Sequence, residues 1–166
     1  MTAVRRVLIG DGDILFRRTL AEQLGVHDEF LTNEAETGSM VVETALAQTF
    51  DLIILGTSLR DMEGSDLCKM LRHTGMTTPI ILLTTLKNSD PLAGISIGAN
   101  DCVAKPFRIS TLLARVRAQV REYEQGEQAT YQIGAYSFSP IKKCLLDVVN
   151  NKQIRLTDKE TAIIKF

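Results

Sequence analysis

Four positions directly follow short apolar stretches. Three of them carry side chains that can bind ions, and the fourth is a glycine, which has no side chain. They are Asp11 after Val7–Gly10, Gly56 after Leu52–Leu55, Thr84 after Pro79–Leu83, and Lys105 after Cys102–Ala104. A carboxylate, a hydroxyl and an ammonium group together can bind ions. Glycine has no side chain, so Gly56 cannot supply a nucleophile.

The elements between these positions predict an α/β fold. The apolar stretches, with a weaker one at Phe30–Thr32, alternate with amphipathic helical patterns. Five such alternations in about 120 residues are typical of a doubly wound, five-stranded parallel sheet. The predicted helices run from the N-cap Asp13 to Gly25, over about 38–48, from about Leu67 to Gly75, over Leu92–Ile97, and over Ile109–Arg121. Since functional crevices of such sheets lie at the carboxyl ends of the strands, the four positions are expected to meet there.

The pattern changes after residue 121. Residues 122–129 are polar and contain glycine, which predicts a linker between a first domain, 1–121, and a second region, 130–166. The second region shows short strands predicted to form a small antiparallel sheet, with a hairpin turn at Asn150–Asn151. Thr157 and Glu160 form a capping box that opens a helix. A small sheet with one unfinished helix is a poor independent domain, so we expect the chain to have been cut from a longer one.

Composition excludes several classes of protein. The net charge of −1 gives no overall bias toward nucleic acid or membranes, and the apolar stretches are too short to span a bilayer. The three cysteines, Cys68, Cys102 and Cys144, have no metal-binding spacing and are expected to act as small hydrophobic residues in a reducing cytoplasm.

Several motifs together resemble the response regulators of two-component signalling, specifically the OmpR/PhoB winged-helix subfamily. The motifs are Val7–Asp11, Asp51–Gly64, Pro79–Thr84, Gly98–Phe107, Leu113–Ala118 and Leu156–Glu160. The resemblance covers nearly the whole chain. It implies a CheY-like, flavodoxin-like receiver domain followed by the N-terminal sheet and first helix of a winged-helix DNA-binding domain.

The resemblance also implies which groups a working receiver needs. Two acids after the first strand hold Mg²⁺, an aspartate after the third strand accepts the phosphoryl group, and a threonine and a lysine bind its oxygens. Asp11 matches the first acid, but Gly12 stands at the second and Gly56 replaces the acceptor. Thr84 and Lys105 remain. We therefore expect no catalytic residue, no bound metal, no cofactor and no enzymatic activity.

The remaining polar groups have alternative roles. Asp13 is favoured as a helix cap over a substitute metal ligand, and Asp61 and Glu63 are expected to be solvated. The alternative for Thr84 is that its hydroxyl only forms a hydrogen bond to its own backbone. A static ion pair between Lys105 and Asp11 is favoured over retained anion binding.

The resemblance further implies a switch and a dimer. Thr84 and Cys102 occupy the switch positions, but cysteine cannot make the reorientation of the usual aromatic residue. Homodimers of the subfamily form through the fourth helix, fifth strand and fifth helix, where Asp101, Arg115 and Arg121 match charged positions. Ser96, Asn100 and Thr111 stand where acids are usual, and Lys105–Pro106 is expected to be a cis peptide.

The main functional hypothesis is a DNA-binding transcriptional regulator whose receiver dimerises or docks partners without aspartyl phosphorylation. DNA would be bound through the missing C-terminal part, so the 166 residues alone are expected to bind it poorly. One alternative is a partner-binding module that docks a kinase or an anti-regulator. Another is a sensor of anions or small molecules that uses the crevice vacated at Gly56.

Overall fold

A computed structural model of the protein describes residues 4–85, 98–128, 131–139, 143–147 and 149–164. The chain divides into two compact units, residues 1–120 and 121–166. The first unit contains the strands β1 (Arg5–Gly10), β2 (Phe30–Ala35), β3 (Leu52–Leu55), β4 (Ile80–Thr85) and β5 (Asp101–Lys105), and the helices α1 (Ile14–Gly25), α2 (Gly38–Ala47), α3 (Gly64–His73) and α4 (Ile109–Gln128), the last of which continues past residue 120.

The five strands form one parallel sheet in the order β2-β1-β3-β4-β5, so the predicted doubly wound fold is confirmed. All four residues of β3 are fully buried because helices cover both faces of the sheet. One face packs on α1 and α4 through residues such as Ile54 and Val116. The other packs on α2 and α3 through residues such as Ile53 and Leu67. The short β3 is thereby held rigidly, and Gly56 follows it directly.

The second unit is an antiparallel sheet followed by a short helix. The strands β6 (Tyr131–Ile133), β7 (Tyr136–Ser139), β8 (Cys144–Asp147) and β9 (Lys152–Arg155) pair in sequence order, and α5 spans Asp158–Ile164. The predicted hairpin turn joins β8 to β9, and Asn151 there has a positive φ of 54°. The capping box is also present, because Thr157 Oγ1 accepts from the Glu160 amide while the Glu160 carboxylate accepts from Thr157.

Some predicted boundaries were wrong, and one lies outside the described residues. β2 continues to Ala35, past the predicted end at Thr32. α4 continues to Gln128, so residues 122–128, predicted to be a linker, are helical. The predicted helix at Leu92–Ile97, with Ser96, falls outside the described part of the chain. No helix among the described residues is both long enough and apolar enough to cross a membrane.

Candidate functional site

Asp11, Gly56 and Lys105 meet at the carboxyl ends of β1, β3 and β5, as the topology of the sheet requires. They adjoin an open cleft of about 470 Å³. Its described lining residues are Asp11, Gly12, Asp13, Thr57, Ser58, Leu59, Arg60 and Lys105. Gly56 and Thr84 are not among these lining residues. Gly56 lies against Asp11, and Thr84 pairs with Ala104 on β5, next to Lys105.

Asp11 is the central group of the site. Its buried side chain, only 5% exposed, accepts from Lys105 Nζ at 3.2 Å through Oδ2. Its other oxygen, Oδ1, accepts from the backbone N–H of Asp13 at 2.8 Å. A buried carboxylate requires such partners, because an unpaired charge away from water is costly. The predicted ion pair between Lys105 and Asp11 is therefore present, and both carboxylate oxygens are engaged.

The Asp11 carboxylate lies where a side chain at position 56 would begin. A Cβ atom built on Gly56 would come within 2.2 Å of Asp11 Oδ2 and 2.7 Å of Asp11 Cγ. Gly56 itself is approached closely from the other side, since a Cβ on Gly64 would meet the Gly56 carbonyl oxygen at 2.0 Å. The space beside Gly56 is thus occupied by a neighbouring acid that is fixed in place by Lys105.

The residues at the site do not fit a magnesium ion. Mg²⁺ prefers near-octahedral oxygen coordination, yet Asp11 Oδ2 faces the Lys105 ammonium group and Gly12 offers no side chain. A Cβ on Gly12 would lie 3.1 Å from the Ser58 carbonyl oxygen, so the neighbouring loop crowds this position. Within the described ranges, no group of three or more His, Cys, Asp and Glu side chains is placed to hold a metal.

Two other acids near the cleft have structural partners. Asp13 caps α1, because its Oδ1 accepts from the amides of Leu15 at 3.0 Å and Phe16 at 3.2 Å. Asp61 is exposed, as expected, and it also binds the start of α2 through the amides of Gly38 at 2.6 Å and Ser39 at 3.1 Å. These hydrogen bonds, chiefly the one from Gly38, lower the pKa of Asp61. Neither acid is therefore free to substitute for a missing ligand.

Lys105 connects the cleft to the aromatic side chain of Phe16. Its Nζ lies 3.7 Å from the centroid of the Phe16 ring, a cation–π contact, and the side chain is 28% exposed. The Lys105–Pro106 peptide bond is cis, as the resemblance implied. Because Lys105 is already paired with Asp11, it does not present an uncompensated charge to the cleft at the strand ends.

The two positions expected to form a switch, Thr84 and Cys102, are not among the described lining residues of the cleft. Thr84 is 6% exposed, and its hydroxyl has no hydrogen-bond partner among the residues that the structure describes. The alternative in which Thr84 only bonds its own backbone is therefore not observed. Cys102 is half-buried on β5, where burial raises the pKa of its thiol and the Asp101 carboxylate adds to the effect. A thiol with a raised pKa is a poor nucleophile at neutral pH.

The predicted dimer residues lie on β5 and α4. Asp101 Oδ2 and Arg115 Nη1 are 3.3 Å apart within one chain, so this pair needs no second protomer. Arg121 is exposed on α4. Asn100 accepts from Arg72 at 2.7 Å and from the Ile80 amide at 2.9 Å, which gives this residue a structural role.

Sequence reasoning missed Arg17, which supports the site from α1. This residue is 7% exposed, donates to the Asp11 carbonyl at 2.7 Å and pairs with Glu34 at 3.1 Å. A signal was present in the sequence, because Arg17 lies three and seven residues before the buried Leu20 and Leu24, on the apolar side of the helix.

Comparison with known protein families finds a match to the response regulator receiver domain over residues 7–117. This is a signal-receiving domain and not an enzyme. Response regulator ArlR of Staphylococcus saprophyticus is 38% identical over 100 residues, which cover 60% of this chain and 45% of that protein. Response regulator protein PmrA of Pseudomonas aeruginosa is 38% identical over 118 residues, 70% of this chain and 52% of PmrA. The chain therefore spans about half the length of these relatives.

A third relative extends over nearly the whole chain. The probable transcriptional regulatory protein SilR of Salmonella typhimurium is 31% identical over 97% of this chain and 70% of its own length. Among solved structures, the beryllofluoride-activated receiver domain of Klebsiella pneumoniae RstA matches with a TM-score of 0.64 and 30% identity, covering 70% of this chain and 98% of the RstA chain. A Francisella receiver domain matches with a TM-score of 0.68 at 24% identity, over 72% of this chain and 98% of that chain. The chain belongs to the response regulator receiver family.

Proposed function

We propose that this protein is a transcriptional response regulator of the OmpR/PhoB type whose receiver works without aspartyl phosphorylation. The observation that carries the proposal is the Asp11 carboxylate beside Gly56, 2.2 Å from the place where an acceptor side chain would start. The position that must provide a carboxylate nucleophile has none, and the neighbouring acid is held by Lys105.

The surroundings support the same proposal. Asp13 and Asp61 are engaged at helix starts, so neither replaces the missing acceptor. The hydroxyls of Thr57 and Ser58 lie by the cleft, but hydroxyl catalysis needs a base. No histidine is among the described lining residues. Signalling through this unit would then depend on binding alone.

The second unit supports the assignment to transcription. Its four-stranded antiparallel sheet followed by a capped helix has the arrangement that the resemblance to winged-helix regulators implies. SilR, which aligns with 97% of the chain, is described as a probable transcriptional regulatory protein. In a longer chain, DNA recognition would fall to residues after 166, and a receiver homodimer would place two such domains on paired half-sites.

The test is the response of the protein to a phosphoryl mimic. We expect sedimentation equilibrium to give the same mass, and ¹H–¹⁵N spectra to give the same amide positions, with and without Mg²⁺ and beryllofluoride. The same titration on the RstA receiver, whose structure is that of a beryllofluoride-activated form, serves as the positive control. A dimer that is indifferent to both additions supports constitutive regulation. Saturable amide shifts around Asp11 and Gly56, or a mass that changes, would overturn the proposal.

A second candidate function, docking of a regulatory protein, is favoured by the start of α1. Ile14 and Leu15 are 47% and 77% exposed there, directly beside the cleft. Exposed neighbouring apolar side chains are commonly covered by a partner. Capture of a purified kinase or anti-regulator that is lost in Leu15→Glu, while self-association persists, would favour this function. The alternative of an anion sensor in the crevice at Gly56 is weaker, because there the Asp11 carboxylate itself faces the Lys105 ammonium group.

A further inference from the structure

A second cleft, of about 460 Å³, lies between α1 and the segment that joins β5 to α4. Its volume is in the range of about 300–1,000 Å³ that is usual for small-molecule sites. It lies wholly within the first unit and shares one lining residue, Lys105, with the cleft described above. The established family function does not account for this cleft.

The walls of this second cleft are mostly apolar and aromatic. Phe16 and Phe107 meet edge to face, with ring centroids 6.1 Å apart and an angle of 83° between the rings. Both side chains, with Ile109, pack against the buried core, and Leu20 closes the floor at 3% exposure. An aromatic corner of this kind favours a flat apolar ligand, because ring faces and edges stack at low conformational cost.

The walls are also held in place before any ligand binds. The N-terminus of α1 is capped by Asp13, and Arg17 ties the same helix to the Asp11 carbonyl and to Glu34. Phe16 therefore extends from a helix that is fixed at both the cap and the first turn. A preformed cleft loses little entropy on binding, which raises its affinity for a small ligand.

The charge in this cleft has one sign. Of the described residues that line it, Lys105 is the only charged one, and Thr19 and Gln23 add neutral polar groups at the rim. An ammonium group has three N–H donors, and Asp11 takes one of them at 3.2 Å. Asp11 offsets the charge of Lys105, and Phe16 lies 3.7 Å from Nζ, but the ammonium group still has N–H donors for an acceptor within the cleft, such as the carboxylate of a ligand bound against Phe16.

We propose that this cleft binds a small planar aromatic carboxylate. Its ring would lie against Phe16 and Phe107, and its carboxylate would accept from Lys105. Lys105 also binds Asp11, whose carboxylate lies beside Gly56. A ligand that binds Lys105 would therefore change the surroundings of Gly56, which gives the receiver an input other than a phosphoryl group. The inference about binding does not depend on the absence of phosphorylation.

The experiment is a titration of the full 166-residue chain with 1-naphthoate, followed by ¹H–¹⁵N amide shifts. We expect saturable binding with a Kd of about 1 mM or tighter. The largest shifts should fall on Thr19, Gln23 and Phe107, with smaller ones on Asp11 and Gly56. The neutral analogue 1-naphthalenemethanol should bind about tenfold more weakly, because it cannot pair with the ammonium group. Absence of saturable shifts, or equal binding of both probes, would overturn the proposal.

Two pairs of variants locate the site. Thr19→Trp fills the rim of the cleft from an exposed position and should abolish the shifts, while Thr49→Trp, also at an exposed position, should not. Lys105→Met should weaken naphthoate binding about tenfold, and Lys69→Met on the exposed side of α3 should not. Since Lys105→Met leaves Asp11 unpaired and can disturb folding, the Thr19→Trp result decides. Unchanged binding in Thr19→Trp would refute the site.

Discussion

The Asp11 carboxylate occupies the space that a side chain at position 56 would need, so Asp11 and Gly56 constrain each other. We expect Gly56→Ala to lower the free energy of unfolding by about 1–3 kcal/mol, since Asp11 must turn away from Lys105 to avoid the new methyl group. Without that contact the same change would be neutral or stabilising, because alanine restricts the unfolded chain. Urea denaturation of wild type and variant measures the difference.

A double-mutant cycle separates the contact from other effects. In an Asp11→Ala background the space beside Gly56 is open, so Gly56→Ala should cost clearly less there than in the wild type. Equal costs in the two backgrounds would mean that Asp11 does not occupy this space in solution. Gly56→Asp should be at least as destabilising as Gly56→Ala, because it adds a like charge beside Asp11.

The hydroxyl of Thr84 gives a second prediction. It is buried without a partner among the described residues, so Thr84→Val should raise the free energy of unfolding by about 1 kcal/mol. The matched control is Thr37→Val, which removes a hydroxyl that accepts from the Met40 amide at the start of α2 and should cost about 1 kcal/mol. A loss of stability in Thr84→Val equal to that in Thr37→Val would show that Thr84 is hydrogen-bonded.

The sequence predicted that Asp11, Gly56 and Lys105 lie together, because each follows a strand of a parallel sheet and the ends of such strands share one edge. It did not predict that the Asp11 carboxylate occupies the space beside Gly56, since the rotamer of Asp11 depends on the side chains around it, and position 56 has none. That the Thr84 hydroxyl has no partner among the described residues also depends on side-chain direction, which a pattern of apolar residues does not specify.

The start of α2 is fixed by the loop that follows β3. Asp61 accepts from the Gly38 and Ser39 amides and from the Ser39 hydroxyl at 3.0 Å. These bonds lower the pKa of Asp61 below its usual 3.8, so the ionised form is favoured in the folded state. A depressed pKa contributes stability above the unfolded pKa, and that contribution is lost as the pH falls through the folded value. Asp61→Asn should therefore destabilise the protein at neutral pH, and this difference should shrink below about pH 4.

The control for this prediction is Ser39→Ala. It removes the hydroxyl donor but leaves both backbone donors to Asp61, so it should show a smaller change of the same sign. Thermal unfolding between pH 2 and pH 7, followed by circular dichroism, gives both comparisons. A destabilisation by Asp61→Asn that stays constant over this range would show that the charge of Asp61 is not involved.

Helix and strand ends were the least predictable part of the elements. The segment after residue 121 was predicted to be a linker because it is polar, yet Glu and Gln are good helix formers and α4 continues through it. β2 was predicted too short for a related reason. It lies at the edge of the sheet, where residues such as Asn33 and Glu34 can extend a strand without being buried. In both places a polar pattern was mistaken for the end of an element.

The molecule as a whole consists of two compact units, and self-association is proposed for the first of them. Arg115 and Asp101 pair within one chain on β5 and α4, at an open cleft that also includes Cys102 and Thr111. If this face forms the homodimer, Arg115→Glu should raise the dimer dissociation constant about tenfold, because it replaces a positive charge on the shared face with a negative one, so that the two protomers would repel each other there. Sedimentation equilibrium measures this constant.

Arg117→Glu is the matched control for that experiment. Arg117 lies on the same helix but contacts Glu29 beside β2, at the opposite edge of the sheet from β5, so its reversal should leave the dimer constant unchanged. Circular dichroism should first establish that both variants are folded. An unchanged dissociation constant in Arg115→Glu would place the dimer on another face.

The close contact between Asp11 and Gly56 also has an evolutionary consequence. A codon for glycine can become one for aspartate by a single base change, so the acceptor residue is easily regained at the level of the gene. In this fold such a change meets the Asp11 carboxylate at once, while position 12 is crowded by the Ser58 carbonyl. A first step back would lower stability before it restored any chemistry. If the receiver works as proposed, this packing would make the absence of a reactive carboxylate hard to reverse.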